Sequence, residues 1–178
     1  TEDGIKVVSL NLLMEDENQP VIWRGPIIAG VVEQFWTDVL WGELDYLIID
    51  MPPGTGDVAL TVMQSIPISG IIMVSVPQDL VSMIVSKAVN MVRKLNIPVL
   101  GIVENMSYIN CPDCGKKIRI FESDNTLEFL KENDLELLAE LPMCKDIANV
   151  SENGNEISNQ EIKEIFKNIG ETIIDTLN

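Results

Sequence analysis

The chain has 178 residues, of which 46% are hydrophobic, so it is long enough and apolar enough for one ordinary domain with a sizeable core. Its 28 acidic residues outnumber 12 lysines and arginines and are spread along the sequence, which argues against a nucleic-acid partner because phosphate contacts need clustered basic residues. No apolar run approaches the roughly 20 residues of a membrane span, and no signal-peptide pattern is visible, so we expect a cytoplasmic protein without a membrane partner.

The predicted elements alternate between strand and helix along most of the chain. Short apolar runs closed by turn residues predict strands, and apolar residues spaced three and four apart predict helices. Strands are predicted at 5–13, 47–50, 70–76, 98–103, 117–121 and 135–141. Helices are predicted at 26–40, 57–65, 79–95 (with Gln78 as an alternative first residue), 126–132 and 158–177, the last with a capping box of Ser158 and Glu161. This order indicates an α/β fold with a three-layer, doubly wound, mostly parallel sheet, in a single domain over 1–178.

The segment DMPPGTGD, residues 50–57, is the first candidate site. Asp50 follows a short apolar run and lies at the carboxyl end of a predicted parallel strand, where open α/β sheets bind their ligands. The two prolines and the glycines after it cannot continue a strand, since proline lacks a ladder donor and glycine admits positive φ. The free N–H groups of such a turn suit a phosphate, and the Asp50 carboxylate suits its magnesium ion.

Two features of this segment leave alternatives open. Asp57 could N-cap the next helix or sense the same phosphate, and we favour the cap. The whole segment could also be only a buried strand and a tight turn, with Asp50 satisfied by local amides. The isolated motif does not distinguish a ligand site from this simpler structure.

Asn105 follows the predicted strand at 98–103, again at the ligand-binding edge of a sheet. Its amide offers one acceptor and two donors, which matches the N6 and N7 edge of adenine. Asn is also a common turn residue, so a plain turn is the alternative.

The cysteines form a C-x-x-C motif, CPDCG, in a predicted metal knuckle at 107–117. Histidine is absent from the chain, which excludes histidine-ligated metals and Cys-His nucleophiles. The spacing lets Cys111 and Cys114 reach one metal centre, but two thiolates cannot complete a four-cysteine site. A homodimer would supply four, enough for tetrahedral zinc or a [4Fe–4S] cluster. A thioredoxin-like redox pair ranks lower because that motif normally opens a helix after an early strand. Cys144 is interpreted as a buried small hydrophobe.

Five segments together resemble the Mrp (ApbC-like) family of iron–sulfur cluster carriers, in the MinD/ParA group of P-loop ATPases. They lie in order within residues 23–115, and a C-x-x-C loop after VENMS separates this family from septum-positioning and plasmid-partition relatives. The segments are WRGP (23–26), WGELDYLIIDMPPGTGD (41–57), VPQD (76–79), IPVLGIVENMSY (97–108) and CPDCG (111–115).

The resemblance implies a P-loop NTPase-like fold and an ATPase that carries a labile cluster between two subunits, on Cys111 and Cys114, for recipient apoproteins. It makes Asp50 the Walker B-type aspartate near Mg²⁺, Gly54 part of the switch II turn that senses the γ-phosphate, and Asn105 the adenine contact. The family's base-flanking loop matches residues 141–142 only loosely. The implied nucleotide-binding residues are Asp50, Pro52, Pro53, Gly54, Asn105 and Pro142.

One motif of the family is absent from these 178 residues. Family members carry a glycine-rich phosphate loop with lysines, K-G-G-x-G-K-S/T, on the first strand of the sheet, whereas here only Gly115 is directly followed by lysine. Without this loop nothing neutralises the triphosphate or supplies the Ser/Thr magnesium ligand, so we expect this chain as it stands not to hydrolyse ATP efficiently. We also expect that a segment with the first strand and the phosphate loop precedes these residues in the native protein.

Two further hypotheses come from other functional classes. The first is a zinc-bridged, non-enzymatic scaffold or regulatory dimer with a vestigial nucleotide site, which metal analysis would distinguish from a cluster carrier. The second is a partition- or septum-type ATPase that acts on a membrane or on DNA. It is less favoured because the last predicted helix sets Lys163 and Lys167 against several acids and shows no basic amphipathic face.

Overall fold

The structure, a computed structural model, describes residues 1, 4–14, 25–77, 79–119, 124–153 and 156–178. Some residues used in the predictions lie outside the described residues. They are Trp23 and Arg24 before the first long helix, Gln78 of the VPQD segment, and Phe121 at the end of a predicted strand. The chain divides into two compact units, Thr1–Pro67 and Ile68–Asn178.

The regular elements described in the first unit are all helices. It contains a 3₁₀ helix at Asn11–Leu13 and two α-helices, α1 (Gly25–Thr37) and α2 (Asp57–Ser65). These two α-helices pack against each other, and the Ser65 hydroxyl of α2 donates to Glu33 Oε1 of α1 at 2.9 Å.

The predictions of strands at 5–13 and 47–50 are wrong. Residues 5–9 and 46–50 have no regular secondary structure. A strand needs a neighbour to satisfy its backbone N–H and C=O groups, and no described residue forms a ladder with either segment. Their apolar side chains therefore stay exposed, Val7 by 60% and Ile48 by 91%.

The second unit is an α/β sheet with helices between its strands. The strands are β1 (Ile71–Ser75), β2 (Val99–Asn110), β3 (Lys117–Ile118) and β4 (Leu137–Pro142). The helices are α3 (Asp79–Lys94), α4 (Asp124–Glu132), α5 (Lys145–Asn153) and α6 (Gln160–Leu177). Among the described helices of the whole chain, none combines the length and apolar character that crossing a membrane requires.

Strand β2 is the centre of this sheet. It pairs in parallel with β1 on one side and with β4 on the other, while the short β3 pairs with it in antiparallel. Glu104 of β2 lies in register with Ser75 of β1 and with Glu140 of β4. The predicted, mostly parallel sheet is therefore confirmed in this unit.

Helices cover both faces of the sheet. Successive residues of a strand point to opposite faces. Ile102 packs with Val85 and Val89 of α3 and with Leu130 of α4. The next residue, Val103, packs in a separate cluster with Leu141 of β4 and Ile169 of α6. These two cores, one on each face, give the three layers that the order of elements predicted.

The start of α6 differs from the predicted capping box. The Ser158 hydroxyl donates to Asp146 Oδ2 of α5 at 2.9 Å, so it does not cap the helix. Asn159 is the N-cap instead, since its Oδ1 accepts from the N–H groups of Glu161 at 2.9 Å and Ile162 at 3.3 Å. The prediction failed because it missed α5, which provides the competing acceptor for Ser158.

Gly101 and Gly170 offer a matched test of packing in the second unit. Gly101 in β2 has φ +150°, and a Cβ there would lie 2.6 Å from Leu138 Cγ and 2.9 Å from the carbonyl oxygen of Glu136, whereas a Cβ on Gly170 in α6 meets nothing within 4 Å. We expect Gly101→Ala to lower the free energy of unfolding by about 3 kcal/mol through strain and overlap. Gly170→Ala should raise it by about 0.5–1 kcal/mol. Urea unfolding measures both changes, and a Gly101→Ala protein as stable as wild type would contradict this packing.

Candidate functional site

The C-x-x-C motif lies in the loop of the β-hairpin that joins β2 to β3. The Cys111 N–H donates to the Lys116 carbonyl at 2.9 Å, and the Gly115 N–H donates to the Cys111 carbonyl at 2.9 Å. Gly115 has φ +69°, a left-handed conformation that glycine adopts without strain. The loop therefore closes on itself and presents both cysteines on one short turn, with Cys114 exposed and Cys111 half-buried.

The same loop favours the thiolate form of Cys111. The backbone N–H of Cys114, then that of Asp113, and then the Cys114 thiol donate hydrogen bonds to the Cys111 sulfur and lower the pKa of Cys111 below its ordinary value. The thiolate is the form of cysteine that ligates metals, and a metal role for Cys111 stays a prediction.

One chain provides two of the ligands that a metal centre needs. In the part of the chain that the structure describes, no group of three or more Cys, His, Asp or Glu side chains is arranged to hold a metal ion. Cys144 directly precedes α5 and is half-buried rather than fully buried. Tetrahedral zinc and a [4Fe–4S] cluster each take about four protein ligands, so the Cys111–Cys114 pair fits half of such a site.

Asn105 lies at a bulge of β2. The register of β2 against β4 shifts between Glu104 and Tyr108, and Met106 adopts φ +56°, which is uncommon for a residue with a side chain. Asn105 Oδ1 accepts from the Met106 N–H at 3.0 Å, whereas no hydrogen bond between described residues uses its amide nitrogen. The adenine contact of Asn105 stays a prediction. Pro142, the other residue assigned to the adenine, is buried at the end of β4 opposite Tyr108.

A charged network lies beside this bulge, and the sequence reasoning missed it. Arg119, directly after β3, donates to both carboxylate oxygens of Glu140, at 2.5 and 2.9 Å. The Ser107 hydroxyl donates to Glu104 at 2.5 Å and accepts from Arg119 Nη1 at 3.2 Å. The hydrogen bond from Arg119 is the main reason that the pKa of Glu140 is lowered. The signal in the sequence was Glu104, a carboxyl group at the end of the apolar run at 98–103.

In the first unit, Asp50, Pro52, Pro53 and Gly54 lie in one open turn. Gly54 has φ +90°, which glycine adopts without strain, and nothing lies within 4 Å of the position that a Cβ would take. Asp50 is exposed, and none of the hydrogen bonds between described residues ends on its carboxyl group. The described residues thus form neither the buried strand nor the local amide contacts of the simpler alternative, and the binding role of this turn stays a prediction.

Asp57 begins α2 and does not cap it. The N-cap is Gly56, and no side chain makes a cap hydrogen bond there. The predicted capping role of Asp57 is therefore wrong, because this residue already belongs to the first helical turn. Its carboxylate lies where the helix dipole favours a negative charge.

The comparison with solved structures defines the class. A nucleotide-binding protein from Archaeoglobus fulgidus, in complex with ADP and with cobalt found in it, is 43% identical with a TM-score of 0.64, over 72% of this chain and 53% of that chain. Together with the three-layer sheet, this likeness makes the chain an α/β protein of the P-loop NTPase class. A ParA family model described as NUBPL iron-transfer P-loop NTPase matches residues 1–177, and the chain belongs to that family. The resemblance noted in the sequence is thereby confirmed.

Curated relatives carry consistent names. The iron-sulfur cluster carrier protein of Clostridium perfringens is 55% identical over 154 residues, which are 86% of this chain and 54% of that protein. The iron-sulfur cluster carrier protein of Methanocaldococcus jannaschii is 44% identical over 97% of this chain and 62% of its own length. The mouse iron-sulfur cluster transfer protein NUBPL is 44% identical over 86% of this chain and 48% of its own length. The chain therefore spans only 48% to 62% of the length of these relatives.

The hairpin makes a testable prediction for Cys111 in the metal-free protein. We expect the rate of Cys111 alkylation by iodoacetamide to rise with a pH midpoint below that of the same cysteine in an unstructured peptide of residues 108–118. The reason is that the N–H groups of Cys114 and Asp113 stabilise the thiolate only in the folded loop. Mass spectrometry of the labelled peptides measures both rates, and a midpoint equal to that of the peptide would contradict the loop geometry.

Proposed function

We propose that this protein is an ATP-dependent carrier of iron–sulfur clusters, which holds a labile cluster between two copies of the chain and delivers it to recipient apoproteins in the cytoplasm. The observation that carries the proposal is the hairpin turn of Cys111 and Cys114. It brings two adjacent sulfurs to an accessible loop, favours the thiolate at one of them, and occurs in a family described as iron-transfer proteins.

The second copy follows from the number of ligands. The described residues of one chain offer two thiolates and no larger group of metal ligands. A [4Fe–4S] cluster is held by about four cysteines, and an exposed hairpin loop can meet the same loop of a symmetry-related chain. We therefore assign the cargo to the interface of a homodimer, with each chain contributing Cys111 and Cys114.

The family resemblance also assigns nucleotide contacts to this chain. We assign Asp50 to the magnesium ion, Pro52, Pro53 and Gly54 to the turn beside the γ-phosphate, and Asn105 with Pro142 to the adenine. Bound ATP would supply the free energy for a change in dimer geometry near the cysteines. Because the 178 residues contain no glycine-rich phosphate loop with lysine, hydrolysis is expected only where that loop is also present.

The same two thiolates also suit a second function. Two such pairs would complete a tetrahedral Zn²⁺ site, and a structural zinc ion would make the protein a scaffold or regulatory dimer with a vestigial nucleotide site. The two functions differ in what the purified protein contains. A carrier holds iron together with sulfide, whereas a scaffold holds zinc alone.

Anaerobic reconstitution with iron and sulfide tests the proposal. We expect the wild-type protein to take up about two iron atoms per chain, which corresponds to one four-iron cluster per dimer. The Cys111→Ser, Cys114→Ser double variant should lose this uptake almost completely, since serine does not replace a thiolate ligand. Iron, acid-labile sulfide and zinc are measured on the same samples.

Cys144→Ser is the control for this experiment, because it removes a half-buried thiol outside the hairpin. We expect it to bind as much iron and sulfide as the wild type. Stoichiometric cluster uptake by the double variant would disprove the assignment of the ligands, and zinc without sulfide in anaerobically purified protein would favour the scaffold.

A further inference from the structure

The hairpin that carries Cys111 and Cys114 ends in a very short, exposed strand. Strand β3 is two residues long and pairs with β2 through Ile109 and Ile118 and through Asn110 and Lys117. Both residues of β3 are exposed, Ile118 by 48%. A two-stranded hairpin of this length is marginal in water, so side-chain contacts at its base matter for its direction. One is the Lys117 ammonium, 4.2 Å from the centroid of the Tyr108 ring, and the other is Arg119.

Arg119 is the first residue after β3, and both terminal nitrogens of its guanidinium group contact the sheet. Nη1 and Nη2 donate to the two oxygens of Glu140 on β4, at 2.5 and 2.9 Å. Such a paired contact fixes both the distance and the orientation of the planar group, which a lysine cannot do. The side chains are 40% and 26% exposed, so the contact is partly shielded from solvent.

The same guanidinium reaches a buried part of the network. Nη1 also donates to Ser107 Oγ at 3.2 Å, and the single hydroxyl proton of Ser107 goes to Glu104 at 2.5 Å. Ser107 and Glu104 are each 2% exposed, and Glu104 Oε1 has no hydrogen-bond donor among the described residues. Glu104 and Glu140 are direct neighbours on β2 and β4, so the positive charge of Arg119 lies beside two adjacent carboxyl groups.

We propose that Arg119 is a positioning residue for the cysteine pair. By holding the end of β3 against Glu140 and Ser107, it fixes the direction in which the hairpin presents Cys111 and Cys114 to a metal. Arg119 does not touch the metal and acts only through the loop. This role rests on the proposed metal binding by the cysteine pair, and its consequence is that metal affinity depends on a residue outside the C-x-x-C motif.

A cobalt titration of the metal-free protein under anaerobic conditions tests this role. The absorption of Co²⁺ bound to thiolates reports occupancy of the pair directly. We expect Arg119→Gln to weaken Co²⁺ binding about tenfold, the scale typical of residues that orient metal ligands. Arg119→Lys should lie between Arg119→Gln and wild type, since it restores the charge but not the paired contact.

Lys116→Gln is the matched control, because it removes the same charge from the same hairpin. Lys116 is exposed, and in the described residues its ammonium group has no hydrogen-bond or ion-pair partner. We expect its Co²⁺ affinity to stay within about twofold of wild type, as for surface changes away from a specific contact. Equal weakening by Lys116→Gln and Arg119→Gln would overturn the proposal, since it would reduce the effect to net charge.

A double-mutant cycle with Glu140→Ala shows whether Arg119 acts through Glu140. We expect Arg119→Gln, Glu140→Ala to bind Co²⁺ about as weakly as either single variant, because each removes the same contact. If the losses of Co²⁺ affinity in the two single variants multiply to about a hundredfold in the double variant, the proposal is overturned. If Arg119→Gln does not fold, Glu140→Ala alone serves as the test, and wild-type Co²⁺ affinity in that variant would overturn the proposal. If the Cys111→Ser, Cys114→Ser variant retains the cobalt absorption, the proposed function itself fails, whatever Arg119 does.

Discussion

The hydrogen-bond ladder of β2 is the interaction on which the second unit depends. This strand pairs with β1 and β4, and its two faces are covered separately, Ile102 by α3 and α4 and Val103 by α6. Because β2 extends well past this core, the same strand carries Asn105 at its bulge and leads directly into Cys111. A shift of the register of β2 by one residue would move each of its side chains, including Ile102, Val103 and Asn105, to the opposite face of the sheet.

Much of this unit could be predicted from the sequence because each apolar run there has a partner strand. The runs at 70–76, 98–103 and 135–141 correspond to β1, the first half of β2, and β4. The knuckle predicted at 107–117 is correct as a loop only for residues 111–116, where Pro112 and Gly115 favour a turn, whereas residues 107–110 belong to β2 and Lys117 to β3.

The remaining features depend on contacts that no local pattern contains. The runs at 5–13 and 47–50 read as strands but have no ladder in the described residues. The start of α6 was misjudged because the acceptor for Ser158 comes from another helix. Likewise, Arg119 and Glu140 are 21 residues apart, and only the pairing of β2 with β3 and β4 brings them together. In each of these cases a contact between residues far apart in the sequence, or the lack of a partner strand among the described residues, decided the outcome.

The number of sulfurs per chain links this fold to its proposed function. A hairpin that presents two cysteine sulfurs can complete a four-ligand centre by sharing it with a second copy. Native mass spectrometry of anaerobically purified, cluster-loaded protein tests this most directly. We expect a dimer that carries one cluster per two chains and separates into monomers when a chelator removes the iron. A monomer with a complete cluster, or a dimer with one cluster on each chain, would contradict the account.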